Sequence, residues 1–371
     1  MAKTIRVPAD QPTIQAGLDA ASSGDAVVVA PGTYLERIDF HGKAVKLTSS
    51  QGPHVTIIDG QFGGSVISLQ SGEGPGTVIE GFTITRGFSS FGAGVWILGS
   101  SGTFRGNVFA GNVQSAGGAG VAIGGFIGSP IVDGNEFTGN TCGDDFLSGV
   151  LSFVNGSSPH IVDNLIHDND CRAINMTIPV GAAPVVFNNT IVRNQTGIYI
   201  DHRVSNADQT FRNNLIVHNG IGLEVAFAFD VAFDAVWTNN LLFGNGSDVT
   251  GVNDPTGTNG NRKADPSFVN EASGDYRLRA GSPALDAGTA IGLVLPATDF
   301  AGAPRVQDND EDGVAVVDIG ALEGAVGASA APAQVPVDSP IALGLLALAI
   351  LGLERRRARS DESRRSTETS A

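Results

Sequence analysis

Cations are scarce in this sequence. Lys and Arg together number 22 against 38 acids, a formal charge of −16, and no lysine lies between Lys46 and Lys263. A chain this acidic is repelled by phosphate backbones and anionic bilayers, which excludes nucleic acid and acidic lipid as its main partners. Cysteine is limited to Cys142 and Cys171. No apolar region follows Met1-Ala2-Lys3-Thr4-Ile5-Arg6 before Pro8, so an N-terminal export signal is not present in this sequence. What is abundant is glycine, with 50 residues, beside 42% hydrophobic residues rich in Val, Ile and Phe. Glycine at that level is compatible with disorder, but the apolar content is not. The combination implies many short strands joined by tight turns.

A repeat organises the chain. The block Asn-x-(Phe/Ile/Leu)-x-x-Asn begins at Asn107, Asn135, Asn164, Asn189, Asn214 and Asn240 and closes at Asn112, Asn140, Asn169, Asn194, Asn219 and Asn245, with steps of 28, 29, 25, 25 and 26 residues. A degenerate copy, Gly81-Phe82-Thr83-Ile84-Thr85-Arg86-Gly87, precedes them by one step. Between blocks lie short runs such as Val95-Trp96-Ile97 and Ile198-Tyr199-Ile200, and no amphipathic helix. A leucine-rich repeat needs a denser Leu consensus, and a propeller blade needs a period of about 40 or more residues. The pattern predicts an all-β fold, a single-stranded right-handed parallel β-helix of about eight coils. Coils stacked ~4.8 Å apart bring each position above its equivalent. Phe109, Phe137, Ile166, Ile191, Ile216 and Leu242 are then one buried column, and the Asn residues form the corners, where they tolerate left-handed backbone and stack their amides. The open N-terminal end needs a cover. Residues 12–21 supply a short helix with Ile14, Leu18 and Ala21 on one face.

The stretches Ile5-Arg6-Val7-Pro8, Pro12-Thr13-Ile14-Gln15, Gly24-Asp25, Ala30-Pro31-Gly32-Thr33-Tyr34 and Ile58-Asp59-Gly60 resemble the start of pectin-lyase-like β-helix proteins. With the Asn blocks the resemblance covers roughly residues 1–250. It implies the fold but not one chemistry, since that superfamily holds lyases, hydrolases, epimerases, esterases and non-enzymes. Past the last block, Asp265-Pro266-Ser267-Phe268, Asp275-Tyr276-Arg277-Leu278, Gly281-Ser282-Pro283-Ala284-Leu285-Asp286-Ala287-Gly288 and Asp318-Ile319-Gly320-Ala321-Leu322-Glu323 resemble the choice-of-anchor domain of bacterial surface proteins. A small-residue linker leads to the apolar, uncharged Ile341–Leu353 and then to Arg355, Arg356, Arg357 and Arg359. That layout is similar to bacterial C-terminal sorting signals, in which basic charge keeps the end of the chain in the cytoplasm. Its motif, Val335-Pro336-Val337-Asp338-Ser339-Pro340, departs from the better-known ones. The resulting organisation is strand and capping helix in 1–24, β-helix in 25–252, anchor-like segment in 253–323, linker in 324–339, sorting segment in 340–357 and polar tail in 358–371. The expectation is an exported chain with a truncated or misassigned start, held at the cell surface and membrane-associated through its C-terminus, with a sorting enzyme as partner.

Three sets of residues carry possible chemistry. Cys142 and Cys171 each follow the closing Asn of adjacent coils by two residues, one rung apart, which suits a disulfide; two free thiols are the alternative. Asp144 and Asp145, with Asp168, Asp170 and Arg172 one coil on, form the best acidic cluster for hydrolysis or for calcium-assisted lyase chemistry. Asp201-His202-Arg203 is a second candidate, and solvated loop charge is the plain alternative for both. The lysine gap, the missing His-Gly motif of polygalacturonase-like hydrolases and the missing Asp-Pro-His-Asp of alginate epimerases depart from enzymatic relatives. Asp308, Asp310 and Asp312, with Gly313 at the sixth position and Asp318 near the twelfth, read as a calcium loop lacking the closing Glu, or as an acidic surface turn. The expected function is a surface β-helix with a structural, adhesive or glycan-binding role, Ca²⁺ as its only implied cofactor and a polysaccharide or cell-surface glycan as its partner; a polysaccharide lyase or glycoside hydrolase is the alternative.

Overall fold

The computed structural model describes residues 2–326 apart from 116–119, 144–146, 155, 178–181, 202–208, 227–234 and 310–312. The chain winds as a right-handed parallel β-helix of nine coils. Each coil contributes one short strand to each of three sheets. Sheet A runs from Ala26–Val29 to Val236–Thr238 and gains Thr4–Val7 at its head; sheet B runs from Gly32–Tyr34 to Leu241–Phe243, and sheet C from Ile38–Asp39 to Ser247–Thr250. Within these sheets every pairing is parallel. The first two coils carry no copy of the block, so seven copies, the degenerate one included, mark nine coils, one more than the eight expected.

Register brings the predicted column together. Ile84, Phe109, Phe137, Ile166, Ile191, Ile216 and Leu242 are consecutive rungs of sheet B, all fully buried. Phe109 and Phe137 stack at 4.8 Å with planes 8° apart. Helix α1, Ile14–Ala20, closes the N-terminal end with Ile14, Leu18 and Ala21 turned into the core. Thr13 caps it by accepting from the Ala16 N–H, and the Glu36 carboxylate accepts from the N–H groups of Ile14 and Gln15.

Two asparagine ladders hold the corners. One runs between sheets A and B from Asn107 through Asn135, Asn164, Asn189, Asn214 and Asn240; the other follows sheet B from Asn112 to Asn245. In each rung Oδ1 accepts the backbone N–H and the Nδ2–H of the Asn one coil earlier, and Nδ2 donates both forward to the next Oδ1 and back to a buried carbonyl. For Asn189 these are Asn164 N at 3.0 Å, Asn164 Nδ2 at 2.9 Å, Asn214 Oδ1 at 3.0 Å and Ile161 O at 2.9 Å. Every donor and acceptor of the amide is therefore used in a fully buried site. Phe82 and Gly87 start the ladders with their backbone N–H groups. Asn261, only 21 residues after Asn240, adds a rung beyond the repeat, and Asp248 ends the second ladder.

The left-handed residue is not the ladder Asn. It is the residue before it: Gly106, Gly134, Asp163, Asn188, Asn213 and Asn239 at one corner, and Gly111, Gly139, Asp168, Arg193, His218 and Gly244 at the other. The Asn itself is left free to bond along the axis.

Replacing Asn189 by Ala strands two donors on Asn164 and the Ile161 carbonyl. At about 1 kcal/mol for each buried unsatisfied group, we expect a loss of roughly 3 kcal/mol in equilibrium urea unfolding. A loss below about 1 kcal/mol, the scale of a single ordinary hydrogen bond, would contradict the ladder's role.

Candidate functional site

The two cysteines form a disulfide, Cys142–Cys171, with Cα atoms 5.4 Å apart. It ties two adjacent coils where Thr141 and Asp170 already pair in parallel. By loop-closure entropy, a 29-residue separation corresponds to at most about 3.6 kcal/mol of stabilisation.

Of the predicted acidic cluster, Asp144 and Asp145 lie outside the described residues. Asp170 is half-buried, and its N–H donates to the Asn140 carbonyl at 3.1 Å. The Arg172 guanidinium lies 4.0 Å from the ring centroid of the buried Tyr199. That is cation–π packing across neighbouring coils of sheet C. In the second candidate run Asp201 is buried at the end of its strand, and His202 and Arg203 lie outside the described residues.

The outward face of sheet C divides into two parts. In coils five and six it is covered by its own loop: Ser152 Oγ donates to the Leu147 carbonyl at 2.7 Å, and Asn175 Nδ2 donates to the Ser148 carbonyl at 3.1 Å. In coils three and four it is aromatic, with exposed side chains beside the rings. Phe91 lies against Trp96 with ring centroids 6.1 Å apart and planes at 27°, and Phe126 meets Phe91 edge-on at 5.5 Å. All three rings are half-buried, while Leu98 and Ile127 beside Phe126 are 43% and 62% exposed. In register, Trp96 stands between Ser68 and Gly124, so no bulky rung crowds it from either side. Position 96 reads from sequence only as part of a short strand; the outward turn of its ring follows from Val95 and Ile97 facing the core.

The outer face of sheet B is closed by the C-terminal segment. There the outward residues change from Thr83, Thr85, Ala110 and Thr138 to Leu165, Val192, Leu215, Val217 and Leu241, and Phe268, Tyr276, Leu278, Ala284 and Ile319 pack on them. The left-handed corner residues change at the same coil, from glycine to polar. Asn188 Nδ2 donates to the carbonyls of Asp318 and Gly320, Asn213 Nδ2 to that of Thr289, and Asn239 Nδ2 to that of Ala287. At the other corner Arg193 grips Asp168 at 2.6 Å, Glu271 at 3.1 Å and the Tyr276 hydroxyl at 2.6 Å, and His218 reaches Glu271 at 2.9 Å. Asp168, Arg193 and Glu271, with His167, line an open cleft of about 840 Å³. Burial alone would raise the Asp168 carboxyl, but its hydrogen bonds from His167 and Arg193 win and hold it well below the usual range. His167 is likewise pulled down by burial, and its bonds to Asp168 and Glu136 outweigh this and raise it. The charges of this cleft are matched by one another across the seam, so they act as a clasp.

A second clasp lies deeper. Arg305, 1% exposed, reaches Asp163 at 2.5 Å and Glu323 at 2.8 Å. Two acids against one cation, both buried, leave excess negative charge. Burial pushes Asp163 up to about 7, against the pull of Arg305. Burial and the neighbouring Asp318 push Glu323 up to about 8, and burial pushes Asp318 to about 6. Both Asp318 oxygens accept protein N–H groups, from Asp286, Gly324 and Asn309. Asp318 is thus tied into the fold of this segment. Asp308 accepts the Gly313 N–H at 2.9 Å, and Asp310 and Asp312 lie outside the described residues. Among the described residues no group of three or more His, Cys, Asp or Glu is placed to hold a metal ion.

A model of the right handed beta helix region matches residues 43–216. No curated protein matches the chain in sequence. Among solved structures it is similar to pectate lyase Pel9A, at 13% identity over 87% of this chain and 97% of that one, TM-score 0.45. It is also similar to a pectin methylesterase from Aspergillus niger, at 12% identity over 71% and 90%, TM-score 0.37, and to the alginate lyase AlyGC, at 13% identity over 80% and 60%, TM-score 0.30.

The raised groups set a pH dependence. Asp163, Asp318, Glu323 and His167 all hold a proton more tightly in the folded chain than in the unfolded one. Their contribution is full below their unfolded values, 3.8 to 4.5 for the acids and 6.5 for the histidine, and is lost as pH rises through the folded ones. The melting temperature is therefore expected to fall between about pH 5 and about pH 9, and Glu323→Gln to flatten that fall. A melting temperature that rises over this range would refute the clasp.

Proposed function

We propose that the protein works outside the cytoplasm, at the cell surface, as a β-helical glycan-binding protein whose binding face is the aromatic part of sheet C. The observation that carries this reading is the half-buried cluster of Phe91, Trp96 and Phe126, continued by exposed Leu98 and Ile127. A contiguous apolar patch on a soluble surface marks an interaction site, and flat rings match the C–H faces of sugars while leaving their hydroxyls to water. Binding suits this face better than cleavage, since Arg172 is stacked on a buried ring and Asp170 sits in the ladder turn. The disulfide supports an oxidising compartment.

Retention by affinity electrophoresis through gels cast with a panel of polysaccharides tests the site. Wild type should be retarded by at least one of them, and Trp96→Ala should run about as it does in an empty gel. Retention of the variant equal to wild type would move the site elsewhere.

Residues 340–357 are the proposed means of attachment, supported by an apolar segment without a polar face, the small-residue linker before it and the arginines on one side only. Placed behind a working export signal, the full chain should fractionate with membranes or the cell surface, and a chain ending at residue 339 should be released. Equal release of both, with the tail intact by mass spectrometry, would refute attachment.

A further inference from the structure

We infer that the glycan held on sheet C is a neutral one, stacked on Phe91, Trp96 and Phe126 instead of being held by ion pairs. This rests on the reading just proposed and narrows it to a substrate class. A uronate or sulfated chain carries a charge on most of its sugars, and proteins meet such charges with Arg or Lys, which pair with carboxylate and sulfate oxygens. Among the described residues, the two outward rows of sheet C that carry the rings hold none. The central outward row of sheet C runs in register from Asp39 through Trp96 to Thr250, and its charged members are both acids, Asp39 and Glu224. The next outward row includes Leu98, Phe126, Val154, Thr177, Asp201 and Ala226, where the charged member is again an acid. Arg172 belongs to the covered part, with its guanidinium on the Tyr199 ring.

Of the arginines of the neighbouring coils, Arg86 is held by Asp59, Arg105 by Asp133 and Arg37 by the Gly63 carbonyl. With a formal charge of −16 on the whole chain, the approach of a polyanion is opposed at long range as well. A neutral sugar meets no such barrier, and its apolar face gains from the rings.

The full-length protein can be titrated with neutral gluco-, xylo-, manno- and galacto-oligosaccharides and, in parallel, with oligogalacturonate and alginate oligomers. The only tryptophans are Trp96 and Trp237, and Trp237 is 5% exposed in the core. Acrylamide quenching of the fluorescence therefore reports on Trp96. At least one neutral series should shield Trp96, with a Kd that changes less than about twofold between about 0.02 and about 0.5 M NaCl, a range across which exposed ion pairs are screened. By calorimetry, Trp96→Ala and Phe126→Ala should each weaken that Kd by about tenfold or more, the scale of a central aromatic contact. Uronates that bind more tightly than every neutral series, with affinity that falls as salt rises, would overturn the neutral assignment and leave a glycan site in place. Failure of every series to bind would overturn the glycan site itself. The comparison of ligand classes is made on the unaltered chain, so it stands even if a variant does not fold.

Discussion

The chain leaves sheet A and leaves sheet B through corners that bury backbone N–H and C=O groups, and an asparagine amide at each corner is what satisfies them. From the fourth coil to the ninth the corner between sheets A and B is two residues long, a left-handed residue followed by the ladder Asn. Nothing shorter would turn the chain, and a residue without an amide would leave buried donors on the coil before and a carbonyl unbonded. Each Asn is bonded to the Asn before and the Asn after, so the coils cannot slide past one another by a residue without breaking both ladders. The aromatic and aliphatic column inside sheet B is in register because the ladders are. The hydrophobic core supplies most of the driving force in such a stack, and the amides decide where each coil sits.

Because the amide column carries the corner's hydrogen bonding, the left-handed residue beside it is free to point outward and differ from coil to coil. In coil three Arg86 uses that freedom to reach Asp59, and the later coils use it together. In coils four and five the residue is glycine, and sheet B carries small or polar residues on its outer face. From coil six it becomes Asp163, Asn188, Asn213 and Asn239 along one edge, with Asp168, Arg193 and His218 along the other. The side chains between the edges become Leu and Val at the same point. Two rows of polar side chains and the apolar strip between them are one docking surface, occupied by Phe268, Tyr276, Leu278, Ala284 and Ile319 and the backbone beside them. A left-handed Arg or His costs more backbone strain than glycine, of order 1 kcal/mol, and the ion pairs with Glu271 and the Tyr276 contact offset it.

Much of this was legible in the sequence. The spacing of the Asn blocks implied the coils, the buried column, the stacked amides and the pairing of Cys142 with Cys171, because each follows from placing equivalent positions one above another. What escaped were features that break the repeat or lie on its outside. Asn261 joins the ladder after only 21 residues, since the last corner belongs to no complete coil. The left-handed backbone falls one residue ahead of the Asn, a placement that the glycines at 106, 111, 134 and 139 signal. The change from Thr to Leu and Val on the outside of sheet B is visible in the middle of each block, but its meaning depends on a segment more than 50 residues downstream. The aromatic patch of sheet C is assembled from Phe91 in a turn and from Trp96 and Phe126 on two strands, and no local pattern links them.

The switch at coil six also fixes an order of events as the chain is made. Coils one to five bury what they need within themselves and their capping helix, so they can close one after another as they leave the ribosome. Coils six to nine emerge with a strip of Leu and Val that has no cover until Phe268, Tyr276 and Leu278 follow, and with a buried Asp163 whose partner, Arg305, comes well over a hundred residues after it. For that interval the nascent chain holds a finished stack and, above it, an apolar strip exposed to water, which makes this stage the one most open to aggregation and most dependent on a chaperone.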